Sequence, residues 1–242
     1  MSTHATDKKL EATIDTTLAD TFPASDPPAW TLGREPHVQT ETTHEVPQND
    51  EDTRLTILGI AGSLRRASYN RALLRVTQQL VPANVTLDIF DLAGIPLFNQ
   101  DEEERLPPTV VEFKTRIRAA DAILFATPEY NYSIPGVLKN AIDWASRPPG
   151  DNAWSGKPVA VIGASIGRLG TARAQYHLRQ VFITLNMYAL NQPEAMISNA
   201  SDLFDAERNL TDKKTRDHVQ RLLNQFVLWI RQVQDKQTPI RK

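Results

Sequence analysis

The sequence predicts a doubly wound α/β fold, a three-layer sandwich around a five-stranded parallel sheet in the order 2-1-3-4-5. Three observations predict it. From Leu55 onward, short runs rich in β-formers alternate five times with stretches of helical periodicity. The runs are apolar throughout rather than alternating, as expected of strands covered on both faces. Parallel strands joined by right-handed helical crossovers give this sandwich, and the stated order is the commonest doubly wound one for five strands.

Leu55-Thr-Ile-Leu-Gly-Ile-Ala61 is the first strand, ending in Gly62-Ser63. Tyr69 to Leu80 is a helix with Leu73, Leu74, Val76, Thr77 and Leu80 on one side, closed by Pro82 and Asn84. Val85–Phe90 is the second strand. A loop with an acidic run, Asp101–Glu104, follows and is expected to be solvated. Pro107 and Pro108 sit where the next helix starts, and Val110, Val111, Phe113, Ile117 and Ala120 give it an apolar face. Asp121–Ala126 is the third strand, Gly136–Ser146 the third helix, Pro158–Gly163 the fourth strand and Thr171–Leu185 the fourth helix. A fifth strand lies near Tyr188–Ile197, interrupted at Pro193, and Leu222, Phe226, Leu228, Trp229 and Val233 belong to a long closing helix.

Residues 1–54 have a different texture. They contain 11 Thr and 5 Pro and carry 4 Lys/Arg against 11 Asp/Glu, so they are expected to be a mostly disordered acidic extension, with a weak helix at 7–20. Phe22 to Trp30 sets two aromatics around a Pro-rich turn; a docking segment and a plain tail are both open readings. Residues 55–242 carry 23 basic against 18 acidic residues, a mild excess that suits anionic ligands and is too weak and too dispersed for nucleic acid.

Ligands of doubly wound sheets sit beyond the carboxyl ends of the strands, so the segments after strands one, three and four are the candidates. After strand one, Gly62-Ser-Leu-Arg-Arg-Ala-Ser-Tyr-Asn70 leads into a helix. A helix N-terminus offers free N–H groups and a positive field, Ser63, Ser68 and Asn70 add side-chain donors, and Arg65 adds a charge. That set fits a phosphate monoester; the alternative is a Ser-capped helix with solvent-facing arginines. Neither the triphosphate loop G-x-x-x-x-G-K-[ST] nor the dinucleotide pattern G-x-G-x-x-G is present there. After strand three, Thr127-Pro-Glu-Tyr-Asn-Tyr-Ser-Ile-Pro-Gly136 offers Tyr130, Asn131 and Tyr132, faces and amides of the kind a flat heteroaromatic ring needs. After strand four, Gly163-Ala-Ser-Ile-Gly-Arg-Leu-Gly170 permits close backbone approach on the same rim.

With these three segments in place, Leu55–Ile197 resembles the NADPH-dependent FMN reductase family, which includes quinone, azo-dye and chromate reductases. The resemblance rests on G-S-L-R-R-A-S-Y-N at 62–70, P-E-Y-N-Y-S-I-P-G-V-L-K-N-A-I-D-W at 128–144 and the turn at 165–170. It implies a flavodoxin-like fold, non-covalent FMN, NADPH or NADH as reductant, a small acceptor (quinone, azo compound, free flavin or metal oxyanion) and a homodimer or tetramer. By position it implies that Ser63, Arg65, Ser68 and Asn70 bind the FMN phosphate. Pro128, Glu129, Tyr130 and Asn131 would line the isoalloxazine, Ser165 and Gly167 would approach its far edge, and Ser133 and Pro135 would lie on the acceptor side. The third turn departs from the family pattern at Ile166, where proline is common, and at Thr171, where a second glycine is.

No side chain is expected to be catalytic, because none accepts a hydride and the redox work belongs to the cofactor. The alternative is a flavodoxin-type electron carrier, a flavin sensor or a binding module without nicotinamide turnover. The chain has no cysteine, its five His lack ligand spacing, and no Ser sits in a G-x-S-x-G elbow, so thiol, metal and serine-hydrolase chemistry are not expected. Asp143 and Trp144 are expected either at a partner surface or capping their helix, and His177 at the surface or an interface. No apolar run approaches a membrane span and no secretory h-region is legible, so cytoplasmic residence is the default expectation.

Overall fold

The computed structural model describes residues 54–237. The expectations for the acidic N-terminal segment fall on residues 1–53 and lie outside the described residues. The elements are β1 (Leu55–Ala61), α1 (Tyr69–Leu80), β2 (Val85–Phe90), a 3₁₀ turn (Gln100–Arg105), α2 (Pro108–Ala119), β3 (Ala122–Ala126), α3 (Gly136–Ala145), β4 (Pro158–Ala164), α4 (Ala172–Thr184), β5 (Tyr188–Ala189), β6 (Ala195–Ile197), α5 (Ala200–Leu203) and α6 (Lys213–Gln237).

The sheet is parallel in the order β2-β1-β3-β4-β5, with β6 also on β4. The fold is flavodoxin-like. The expected fifth strand is two pieces: Tyr188–Ala189 pairs with the start of β4 and Ala195–Ile197 with its end. The break contains Pro193, which has no N–H to give to a ladder.

Side-chain alternation divides the core into two layers. Leu55 and Ile57 of β1, Leu124 of β3 and Ile162 of β4 pack under α1 and α6 with Leu73, Leu74 and Phe226. Leu58, Ile60, Phe125 and Val161 face the other way, onto Phe113 of α2, Ile142 of α3 and Phe182 of α4. Each such fully buried side chain contributes about 1.5–3 kcal/mol of transfer free energy. Trp154 completes the second layer, within 5.7 Å, ring centroid to centroid, of both Phe113 and Phe125.

Two local expectations are corrected. Trp144 neither caps its helix nor faces a partner surface: it is fully buried, donates its indole N–H to the Pro96 carbonyl at 2.9 Å and meets Phe98 edge-on at 5.0 Å. Asp143 pairs with Lys139 one turn earlier at 2.8 Å. The acidic run is a 3₁₀ turn capped by the Asn99 side chain rather than an irregular loop; Asp101, Glu102 and Glu104 are exposed as expected, while Glu103 is nearly buried in an ion pair with Arg147. Among the described residues no helix is long and apolar enough to cross a membrane.

Candidate functional site

The turns after β1, β3 and β4 meet at one rim of the sheet and enclose a cleft of about 390 Å³. Its lining includes Ser63, Arg65, Ser68 and Asn70 from the first turn, Pro128, Glu129 and Tyr130 from the second and Ser165 from the third. Asn131, Ser133, Pro135 and Gly167, which were also expected at the site, do not line it. A groove of about 570 Å³ between β6 and the start of α6 is larger, but its Lys214 is accompanied by the carboxylates of Asp202 and Asp212, whereas the rim cleft sets Arg65 and Arg208 beside the serines and backbone donors of the turn before α1.

The first turn is built to leave donors free. Ser68 is the N-cap of α1, and its Oγ accepts from the N–H groups of Asn70 at 3.2 Å and Arg71 at 3.4 Å. Because that oxygen accepts twice, its hydroxyl proton stays available. Ser63 Oγ accepts from Arg65 N–H at 3.3 Å and lies 3.2 Å from the Tyr130 hydroxyl, so the first and second turns touch across the cleft. Among the described residues, the N–H groups of Leu64, Arg66 and Ala67 have no acceptor within the chain. Gly62 keeps the turn close to the next one, since a Cβ there would lie 3.1 Å from both Leu138 and Pro128.

Asn70 is 2% exposed, and its amide pairs at both ends with Ala164: Nδ2–H to the carbonyl and Oδ1 from the N–H, each at 2.9 Å. It mimics a strand residue and ties the first turn to the end of β4. One amide proton remains for a ligand.

The second turn is a two-residue hairpin. Tyr130 and Ser133 exchange backbone hydrogen bonds at 3.0 and 3.1 Å, with Asn131 and Tyr132 between them at φ 49° and 68°. A tyrosine there is uncommon, because a Cβ crowds the left-handed region. The Arg173 guanidinium lies 3.5 Å from the centroid of the Tyr132 ring and holds it. Glu129 lines the cleft, but its carboxylate turns to the start of α4, accepting from Arg173 N–H at 3.0 Å, from Ala174 N–H at 3.4 Å and from the Arg173 guanidinium. That anion sits where the helix field favours it and raises the guanidinium pKa further. Ser133 Oγ is 2.9 Å from His177 Nδ1, so His177 also braces this loop.

The third turn is stitched to the helix that follows β6. Ala200 N–H donates to the Ser165 carbonyl at 2.9 Å and Asn199 N–H to the Gly167 carbonyl at 3.3 Å. Gly170 and Thr171 are both left-handed, at φ 53° and 73°. The departure from the family pattern therefore puts a β-branched residue where glycine is unstrained. Thr171 is 1% exposed, accepts from Gln175 Nε2 at 3.1 Å and packs where a Cβ on Gly163 would collide.

Four lining residues were not foreseen as site residues: Ala164 and Ile166, which flank Ser165, together with Tyr69 and Arg208. Tyr69 lay inside a quoted motif, read only as a helix start. Arg208 lies 139 residues further along the chain, and no local pattern marks it.

The donor set fits FMN at its phosphate end. Two serine hydroxyls, a run of unpaired N–H groups at a helix N-terminus and arginine side chains suit a phosphate dianion. Tyr130 and Pro128 supply flat apolar wall on the other side.

The family model for NADPH-dependent FMN reductase matches residues 55–202. A NAD(P)H-dependent FMN reductase of Pseudomonas aeruginosa is 54% identical over 180 residues, covering 74% of this chain and 97% of that protein. A 2-hydroxy-1,4-benzoquinone reductase of Burkholderia sp. is 44% identical over 177 residues, covering 73% of this chain and 97% of that protein. Among solved structures, FerB, a flavoenzyme NAD(P)H:(acceptor) oxidoreductase of Paracoccus denitrificans, superposes with a TM-score of 0.69 at 39% identity, covering 74% of this chain and 98% of that one.

Proposed function

The chain belongs to the NADPH-dependent FMN reductase family, and from that premise we propose that it reduces quinones with NAD(P)H at the rim cleft. It is an FMN-dependent NAD(P)H oxidoreductase with a small-molecule acceptor; the choice of a quinone is the finer reading, drawn from relatives named for quinone reduction. The observation that carries it is the meeting of three turns in one cleft, with phosphate donors on one wall and Tyr130 on another.

FMN, when bound, supplies the two-electron exchange between nicotinamide and acceptor that no side chain of the cleft can perform. The chain supplies the rest. Ser63, Ser68, Arg65 and the free N–H groups of Leu64, Arg66 and Ala67 would hold the phosphate. Pro128 and Tyr130 form the wall for the ring. Glu129 and His177 act through the backbone by fixing the second turn to α4. Asn131, Ser133 and Pro135 stand outside the cleft lining, on the side where reductant and acceptor would alternate. In the net reaction NAD(P)H and one proton become NAD(P)⁺ as a quinone becomes its hydroquinone. Homodimeric or tetrameric assembly and cytoplasmic residence, where the nicotinamide pool is, complete this reading.

The test is an anaerobic one on the full-length protein. Purified protein should carry a flavin absorbance, NADPH or NADH should bleach it, and 1,4-benzoquinone should restore it. A colour that nicotinamides leave unchanged would favour a flavodoxin-type carrier instead. Azo-dye and chromate arms beside the quinone rank the acceptors.

A further inference from the structure

We propose that Arg208 is a second cationic contact for the phosphate monoester in the rim cleft, held in aim by Tyr69. The proposal rests on the FMN reading and adds a residue beyond the span matched by the family model, which ends at 202. Arg208 lies between α5 and α6, yet it lines the same cleft as Ser63, Arg65 and Ser68.

Its guanidinium is positioned rather than neutralised. Nη1–H donates to the Tyr69 hydroxyl at 2.9 Å, and the guanidinium carbon stands 4.3 Å from the centroid of the Tyr69 ring. Tyr69 is the first residue of α1, immediately after the capping Ser68, so the cation lies above the N-terminal end of that helix. Phe204 fixes the ring, at 5.3 Å between centroids. No carboxylate lies within ion-pair distance of Arg208 among the described residues; Asp205 of its own turn feels the charge and spends its oxygens on Asn209. Arg208 Nε is buried with no hydrogen-bond partner. Nε is closed off from solvent, so a ligand in the cleft would meet the outer edge of the guanidinium, where a charge-assisted bond is worth most if the anion already has neighbouring donors.

The backbone supports the same placement. Arg208 has φ 66°, in a turn closed by Asp205 N–H to Asn209 carbonyl at 3.0 Å and by Asn209 N–H to the Asp205 carboxylate at 2.7 Å. The turn aims one long cation back across the sheet rim, and left-handed backbone away from glycine is maintained only where surrounding contacts enforce it.

Two phosphate monoesters reach this enzyme, the 5′-phosphate of FMN and the 2′-phosphate of NADPH. Sharing a cleft with Ser63, Arg65 and Ser68 assigns Arg208 to the first. The experiment titrates the full-length wild type, Arg208→Gln, Arg208→Lys and Tyr69→Phe with FMN and with riboflavin, which lacks the phosphate, following flavin fluorescence. Thermal melts confirm folding. Arg208→Gln should weaken FMN about 10–100-fold and leave riboflavin within about twofold, the discrimination expected of one charge-assisted contact. Arg208→Lys should recover part of the loss, and Tyr69→Phe should cost FMN several-fold. Unchanged FMN affinity, or equal loss of FMN and riboflavin, would overturn the proposal. So would intact FMN affinity with a raised KM for NADPH but not NADH, which would assign the residue to the other phosphate. A wild type that binds neither flavin would instead defeat the FMN reading itself.

Discussion

Ser68 shows how one hydroxyl serves both fold and site. Its oxygen caps α1 by accepting from two N–H groups, and its proton is left for a phosphate. Ser68→Ala should therefore lose about 1 kcal/mol of stability, seen as a drop of about 2–4 °C in Tm, together with roughly tenfold in FMN affinity by fluorescence titration. Ser68→Asp would keep the cap but place a negative charge against the phosphate, so its melting should stay near wild type while FMN binding is lost. Glu129 is the converse case. Its carboxylate serves α4 and Arg173 rather than a ring, so Glu129→Gln should raise the KM for nicotinamide and acceptor more than it lowers kcat, as steady-state kinetics would show. The reading of Asn70 as a phosphate donor came from its position after Ser68; its pairing with Ala164, 94 residues away, is a long-range contact that no local pattern encodes.

At the scale of elements, helix α2 is held at its middle and at its C-terminal end by lysines that sequence reasoning passed over. Lys114 is 1% exposed and donates to the Arg147 carbonyl and to Asp151 at 2.7 Å, anchoring the segment between α3 and β4. Lys157 donates to the carbonyls of Arg118 and Ala120, satisfying the C-terminal end of α2, and its burial pushes its own pKa below the usual range. Lys114→Met should cost about 1–3 kcal/mol by denaturant unfolding, because the carbonyl of Arg147 loses its donor. The ion pairs here carry a pH sign. Hydrogen bonding to Lys114 holds Asp151 below its ordinary carboxylate pKa, and Arg71 does the same for Asp91. Their stabilisation is full above the unfolded-state value and is lost as pH falls through the lowered folded value. Tm should thus fall as pH drops below the ordinary carboxylate value and through the lowered folded ones, with a shallower fall in Asp151→Asn; both carboxylates are about half exposed, so solvent screening keeps the effect modest.

For the whole molecule, the sheet rim makes cofactor binding and stability one equilibrium. Saturating FMN at about 100 times its Kd should add about 2.7 kcal/mol to unfolding, or roughly 5–10 °C in Tm, and riboflavin should add less. The boundary that the sequence suggests after residue 54 carries a separate expectation. The P. aeruginosa and Burkholderia relatives are each covered to 97% by a match to about three quarters of this chain. A protein beginning at residue 54 should therefore fold, take up FMN and turn over NAD(P)H and benzoquinone at rates within about twofold of the full chain, by visible absorbance and stopped assays.

The strand runs, helix periodicities and the three turn motifs were sufficient to determine the layer architecture and the edge of the sheet where the cleft lies, while the strand order followed from what is commonest for five parallel strands. They are local signals: burial on two faces, capping and backbone freedom at glycine are properties of short segments. What only the tertiary structure decided is how those segments use their groups. Trp144 went to the core because Pro96 and Phe98 come to meet it, and Glu103 found Arg147. Glu129 was drawn to the free N–H groups of α4, and Arg208 reached the cleft from beyond the last motif. Those partners lie tens of residues away, and a polar group's partner is chosen by folded proximity, which no periodicity along the chain expresses.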